Sequence, residues 1–221
     1  MDRLGRPIAE ERAKTTGDIS GFDMSGVNFV NSDLSGCNLS GSSLKGAKLE
    51  GANLSGSDME GCDLSGANMR SANLTGVNLK GANLEGADLL YARLLGANLS
   101  NANFRNANLA VTQVAGADMS NADLTEASIR QIEADTADMS GAIMSRADAF
   151  GGSFVAAIMK GAKLDGAMLS RADMNAADLR DADLSGAEMI NTNLRAADLR
   201  GANLEGANMR GATTNIAKMD G

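Results

Sequence analysis

A strict period of five residues runs through most of this 221-residue chain and constrains its fold more than any other feature. From Ile19 to Met209, every fifth residue is a large apolar one, and only Ala134 and Ala149 among these 39 centres break the rule. Two positions before the centre, 26 of 39 residues are Ala; two positions after it, 22 of 39 are Gly. Asn and Asp dominate immediately before the centre. Because the phase never shifts, the array contains no insertion other than a multiple of five.

This period fits an extended chain with regular corners, and it does not fit an α-helix. A helix needs apolar residues three and four positions apart, and each Gly in a helix interior would cost about 1 kcal/mol. The small residue and the centre are two positions apart, so both lie on the same side of an extended segment. The Gly that follows suits a corner because it tolerates positive φ. We therefore expect each unit to be a very short strand followed by a corner.

Units such as 52–56 (ANLSG), 82–86 (ANLEG) and 202–206 (ANLEG) resemble those of the pentapeptide-repeat family, which read A(D/N)LXX. The resemblance covers residues 17 to about 212. It implies an all-β fold, a right-handed quadrilateral β-helix in which four units make one coil of 20 residues. About ten coils at the spacing of parallel strands would form a rod about 45 Å long.

The pattern divides the chain into an N-terminal cap (1–16), the pentapeptide-repeat β-helix (17–212) and a C-terminal tail (213–221). Pro7 suits the first turn of a helix, so residues 8–14 are predicted to form a short helical cap, with Leu4 and Ile8 covering the first coil. The tail is a weaker cap, with Ile216 and Met219 as its large apolar side chains. We hypothesise a homodimer formed through this C-terminal end, since open coil ends favour association.

One stretch, from Glu126 to Phe154, departs from the pattern. Several corners lack Gly, two centres are Ala, and Ile132 occupies a position that usually holds Ala. Large residues lie beside small ones, as compensating core volumes require. We expect a local distortion or bulge here, within a continuous array.

Apolar residues at outward positions are the best candidates for a binding surface, because an exposed apolar strip on a rod marks a partner interface. Leu90, Tyr91 and Leu95 lie in a regular stretch and are predicted to be exposed. Phe150 and Val155 continue the strip on the same two faces. An inward orientation of Phe150, Val155 and Ile158 at the irregular coils is an equal alternative.

Acidic residues recur on one face and have two interpretations. The array could mimic DNA or hold a cation, or each carboxylate could simply bond to nearby backbone. We favour the second, because Lys80, Lys160, Arg180 and Arg200 share the face. The acidic residues are Asp58, Asp118, Asp138, Asp178 and Asp198.

The residue types argue against catalysis and cofactor binding. The chain has no His, no CxxC pair and only two cysteines, which occupy small inward positions. A narrow, filled core would offer no pocket. We expect a non-enzyme with no cofactor and no metal. The net charge of −8 argues against direct nucleic-acid binding, and no apolar run is long enough for a membrane span. The residues up to 16 show no signal-peptide pattern, so we expect a cytoplasmic, bacterial protein.

Two functions follow as hypotheses. The first is a protein-interaction or scaffold role, in which the faces of a rigid rod bind a protein partner that the sequence does not identify. The alternative comes from the family resemblance: some members mimic duplex DNA, modulate DNA gyrase and protect it from fluoroquinolones. The chain lacks the phase-breaking loops of that subgroup and its charge is modest, which favours the first hypothesis.

Overall fold

The computed structural model describes residues 1–219, and the chain forms a right-handed quadrilateral β-helix preceded by one short helix. Helix α1 spans Arg6–Thr15. From Asp18 onward every fifth residue forms a parallel β-bridge with the residue 20 positions later, from Asp18 with Asn38 to Asp198 with Lys218. Each strand is a single bridging residue. The offset of 20 confirms the coil of four units.

Each five-residue unit repeats the same backbone pattern. The N–H of the centre donates to the next coil, as Leu39 N does to Asp58 O over 2.7 Å. A tight turn follows, closed by the next small residue, as when Ala82 N donates to Leu79 O. The second turn residue adopts positive φ, for instance 64° at Gly51. The predicted strand and corner are confirmed.

The centres stack into four columns, which define the faces of the rod. Face 1 contains the centres from Ile19 to Leu199, face 2 those from Met24 to Leu204, face 3 those from Phe29 to Met209, and face 4 those from Leu34 to Leu194. Almost every centre is fully buried, together with the small residue two positions before it. The core is therefore a narrow aliphatic column, and the other three residues of each unit face outward.

The N-terminal segment covers the first coil, with Leu4 buried as predicted but Ala9 in the place predicted for Ile8. Leu4 and Ala9 are buried, whereas Ile8 is 57% exposed. Arg6 Nε bonds to Glu10 Oε1 at 2.9 Å, and Ser32 Oγ donates to the same oxygen at 2.7 Å. The Arg6 bond lies within the helix, and the Ser32 bond attaches the Glu10 side of the helix to the coil below. The prediction for Ile8 was wrong, because polar anchors fix the rotation of the helix.

The expected bulge between 126 and 154 is absent, and the ladder runs through this stretch without interruption. Ala134 N still donates to Ser153 O at 2.8 Å. The volumes compensate within the core: a Cβ on Gly152 would lie 2.9 Å from Phe154 Cε2 and 3.2 Å from Ile132 Cγ2. Because Gly152 makes room for these two large neighbours, the backbone has no need to bend.

Candidate partner-binding surface

The edge where face 3 meets face 4 brings three of the predicted residues together on one coil. Leu90 follows a face 3 centre, Tyr91 forms the corner, and Leu95 follows the next centre on face 4. Tyr91 is 55% exposed, while Leu90 and Leu95 are half-buried. Tyrosine is one of the residue types enriched at interface hot spots, and the two leucines beside it enlarge the apolar surface.

The following coil extends this surface with smaller apolar residues. Bridges pair each residue with the one 20 positions later, which places Ala110, Val111 and Ala115 directly after Leu90, Tyr91 and Leu95. All three are half-buried. We call the six residues the upper patch: Leu90, Tyr91, Leu95, Ala110, Val111 and Ala115. Sequence reasoning missed Val111, although a β-branched residue at a corner position was a readable signal.

Two corners of the upper patch hold bulky residues in a backbone conformation that does not suit them. Tyr91 has φ of 63° and Val111 has φ of 53°. Such values are uncommon for residues other than Gly, and for a β-branched residue they are outliers. The corner hydrogen bond of Tyr91 N to Ala110 O is also long, at 3.4 Å. Positive φ at a corner without Gly recurs along the rod, at 18 described residues, so the apolar character of the side chains at 91 and 111 is what distinguishes this edge.

Phe150 and Val155 lie on the same edge three coils later, and they remain outside the core. The inward alternative is not what the structure shows, because Phe154 and Ala149 fill the interior there and Ile158 is 42% exposed. Phe150 is half-buried on the surface. Nearby on face 3 are Met168, 45% exposed, and Ile190, half-buried. We call Phe150, Val155, Met168 and Ile190 the lower patch.

Two arginines hold the Phe150 ring. The guanidinium carbon of Arg130 lies 4.8 Å from the ring centroid, and that of Arg171 lies 5.6 Å from it. Arg130 is also paired with Asp148, with its Nη1 2.8 Å from Oδ2. Cation–π contacts of this kind contribute about 0.5–1 kcal/mol at exposed sites. They keep the aromatic ring in place on the outer surface.

Charge divides the rod lengthwise. Of 28 acidic and 20 basic residues, four of each lie outside 17–219, and faces 3 and 4 hold eight acidic and seven basic ones. Faces 1 and 2 therefore hold 16 acidic and nine basic residues, a formal charge of −7 against −1. The charged residues of faces 3 and 4 are Asp33, Glu50, Asp88, Glu133, Asp135, Asp148, Asp173, Glu188, Lys48, Arg70, Arg93, Arg130, Arg171, Arg195 and Arg210.

The arginines differ between the two sides as well. On faces 1 and 2, every arginine forms an ion pair: Arg105, Arg146, Arg180 and Arg200. On faces 3 and 4, Arg70 and Arg130 are paired, but four arginines have no ion pair with any residue of 1–219: Arg93, Arg171, Arg195 and Arg210. Positive charge is thus available on the same side as the apolar patches.

The acidic residues in the column of face 1 bond to nearby backbone, as the second of the two interpretations predicts. Each carboxylate accepts the backbone N–H two residues later, as Asp58 does from Glu60 at 3.1 Å and Asp118 from Ser120 at 2.9 Å. Towards the C-terminal end the column is also neutralised. Hydrogen bonds from the Arg200 side chain lower the pKa of Asp198 to about 2. These carboxylates have local partners, which accounts for their recurrence.

Within residues 1–219 the structure has no pocket, and no group of three or more Cys, Asp or Glu side chains is arranged to hold a metal ion. Both cysteines are free and buried, and burial raises the pKa of Cys62 to about 12. No helix in this part of the chain has the length and apolar character needed to cross a membrane.

A family model described as pentapeptide repeats matches the chain in eight copies, at residues 23–61, 42–81, 52–90, 78–110, 103–141, 117–154, 142–181 and 177–213. No curated protein matches the sequence significantly.

Three solved structures of pentapeptide repeat or related proteins are similar to this chain, and HetL, whose TM-score is above 0.5, shows the same fold. The chain is 28% identical to HetL, a pentapeptide repeat protein involved in heterocyst differentiation regulation from the cyanobacterium Nostoc sp. strain PCC 7120, with a TM-score of 0.55 over 95% of this chain and 94% of that one. It is 21% identical to QnrB1, a plasmid-mediated fluoroquinolone resistance protein, with a TM-score of 0.44 over 92% and 93%. A third structure is Rfr23 from the cyanobacterium Cyanothece 51142, 18% identical, with a TM-score of 0.19 over 95% and 96%.

Proposed function

We propose that this chain, which belongs to the pentapeptide repeat family, is a non-enzymatic interaction protein that binds a protein partner along the edge between faces 3 and 4. The observation that carries this proposal is the upper patch, where Tyr91 and Val111 are held at strained corners with their neighbours Leu90 and Leu95 at the surface. Gly would fit these corners without strain, so the fold itself does not require the bulky residues.

Two further observations support this proposal. Faces 1 and 2 carry most of the excess negative charge, which favours solubility on the side away from the patches. HetL, described as taking part in regulation of heterocyst differentiation, matches nearly the whole chain. A rod that acts in regulation by binding another protein is in keeping with that likeness. We expect the protein to act in the cytoplasm, where its two unpaired thiols are stable.

The test is affinity purification of partners from the source organism with the tagged wild type and with Leu90→Asp/Leu95→Asp. Charged groups on the patch should remove the specific partner, because covering a carboxylate with an apolar partner surface takes it out of water at a cost in free energy. Ser65→Asp/Ser120→Asp on faces 2 and 1 is the matched control with the same change in charge. Identical sets of proteins from wild type and the leucine variant would refute the proposal.

The gyrase alternative receives no support from the surface geometry. On face 1, Arg180 pairs with Asp178 and Arg200 with Asp198, at 2.5 and 2.6 Å. Paired charges reduce the negative field that a DNA mimic needs. The likeness to QnrB1 extends only to the general fold. A supercoiling assay of gyrase with fluoroquinolone, with and without this protein, is the direct test of that alternative.

We also propose that two chains associate through the C-terminal coil. Leu204 and Met209 are only partly buried there, and Ile216 is exposed. The backbone N–H groups of Leu204, Met209 and Thr214 have no acceptor within residues 1–219. Light scattering on the wild type and on Ile216→Asp tests this proposal. A monomer at micromolar concentration would contradict it, and a dimer that the substitution dissociates would support it.

A further inference from the structure

We propose that the partner segment bound at this edge is acidic and amphipathic, with apolar side chains on the upper and lower patches and carboxylates paired to Arg93 and Arg171. The inference rests on the proposed function, and it adds the chemistry of the partner. It is carried by the two guanidinium groups that interrupt the apolar surface and have no carboxylate of residues 1–219 bound to them.

Arg93 lies within the upper patch, at the bridging position between Tyr91 and Leu95. Its bridge partners in the column are Asn73 and Gln113, which are both neutral. The nearest acidic residue further along this column is Glu133. Its carboxylate accepts a hydrogen bond from Gln113 Nε2 at 3.0 Å and does not pair with Arg93. Arg93 is exposed and has no ion pair within residues 1–219. A cation in this position favours a partner that supplies a carboxylate.

Arg171 lies at the lower patch and is already oriented. Its guanidinium carbon lies over the Phe150 ring, 5.6 Å from the centroid. Arg130, the other arginine at this ring, already forms an ion pair with Asp148. Stacking uses the face of a guanidinium and leaves its in-plane N–H donors available for a bidentate carboxylate. Because the ring restricts the side chain beforehand, less conformational entropy is lost when the carboxylate binds.

The spacing sets the size of the segment. Arg93 and Arg171 are about four coils apart, which corresponds to about 19 Å at the spacing of parallel strands. A helix covers that distance with about 13 residues, and an extended chain covers it with about six. Either form can place apolar side chains on both patches and acidic ones at both arginines.

Two other occupants fit less well. A second copy of this chain offers acidic side chains on faces 1 and 2, but the residues after the centres there are all polar or charged, so it has no apolar strip to match. Its faces 3 and 4 have the apolar patches, but their eight acidic and seven basic residues offer little net negative charge to the arginines. A nucleic acid would satisfy the arginines, but it would leave the leucines uncovered and approach a chain with net charge −8.

The experiment measures fluorescence anisotropy of a labelled amphipathic peptide of about 18 residues, long enough as a helix to span both arginines. One peptide has leucines on one face flanked by glutamates, and a companion has glutamine in place of each glutamate. We expect the glutamate peptide to bind wild type more tightly, by about tenfold for each arginine pair. Arg93→Glu/Arg171→Glu should abolish this preference. The control Lys45→Glu/Lys163→Glu changes the net charge equally on face 2 and should keep it.

Leu90→Asp/Leu95→Asp separates the two proposals, and circular dichroism verifies that each variant is folded. If this variant loses the purified partner while Arg93→Glu/Arg171→Glu binds the glutamate peptide like wild type, the acidic inference fails and the proposed function stands. Equal binding of both peptides by wild type would also overturn the inference. A wild-type dimer that dissociates only in the leucine variant would show that a second copy occupies the edge, which overturns it as well.

Discussion

The strained corner at Val111 allows a prediction in which the sign of a mutational effect reverses between adjacent residues. At Val111, φ is 53°, a conformation that disfavours any residue with a Cβ. Ala110, the residue before it, has no positive φ. We expect Gly to be more stable than Ala at position 111, and Ala to be more stable than Gly at position 110.

The magnitude follows from two opposing terms. A left-handed conformation costs an L-residue about 1–2 kcal/mol, and Gly avoids this cost but loses about 0.5–1 kcal/mol in backbone entropy. Val111→Gly and Val111→Ala both lose the two γ-methyl groups of the valine, so their comparison isolates the effect of Cβ. The difference should leave Gly more stable by about 0.5–1 kcal/mol. At Ala110 only the entropy term and the lost methyl contacts remain, so Ala110→Gly should destabilise by about 1 kcal/mol.

Urea unfolding followed by far-UV circular dichroism measures these differences, with Thr136→Gly against Thr136→Ala as a control. Thr136 has φ of 58° on another edge, so it should show the same stability effect without any change in partner binding. Both Val111 variants should bind the partner more weakly than wild type. If Val111→Ala were as stable as Val111→Gly, or more so, the strain argument would be refuted.

Three further predictions concern the core and the titrating groups. Gly152→Ala should destabilise by about 1–3 kcal/mol, since the new methyl group would lie 2.9 Å from Phe154 Cε2; an unchanged urea midpoint would contradict this. Asp198, whose pKa is lowered from 3.8 to about 2 mainly by hydrogen bonding from Arg200, stabilises the fold fully above about pH 4 and loses this effect as the pH falls through its folded pKa. Asp198→Asn should therefore lose less stability than wild type between about pH 4 and 2 in urea titrations. Cys62, whose pKa burial raises to about 12, should not react with a thiol reagent at about pH 8 until the protein is unfolded; prompt labelling would show that the coil opens.

The buried positions could be predicted from the sequence because a single rule, a large residue every fifth position, sets the core, whereas the coil of four units and its four faces were implied by the resemblance to the pentapeptide-repeat family. The two errors concern features outside that rule. The rotation of α1 depends on the bond of Glu10 with Ser32, which joins residues 22 positions apart. The regular ladder near Gly152 depends on how Ile132 and Phe154 fill the space of one missing Cβ. Periodicity contains neither kind of information.

The candidate surface was predictable in position but not in charge. The period places Leu90, Tyr91 and Leu95 on one edge as soon as the corners are assigned. Arg130 is paired within residues 1–219 and Arg171 is not. The pair of Arg130 with Asp148 joins the residue after one centre to the residue before the centre in the next coil. This diagonal contact depends on the rotamers of long side chains. The sequence shows seven basic residues on faces 3 and 4, and only the structure shows which of them are paired.

The difference between the two sides of the rod cannot originate in the fold, because all four faces make the same backbone bonds and enclose the same core. In a solenoid, stability is a sum of terms between neighbouring coils, so a strained corner costs energy only where it occurs. Val111 N still donates to Arg130 O at 2.8 Å despite its φ, which shows that the neighbouring coils hold the corner in place. Residues at the bridge, turn and corner positions can therefore change without disturbing the buried positions. Apolar residues at the outward positions of one edge and unpaired arginines on the same side are then best explained by a requirement outside the fold, which is the binding of a partner.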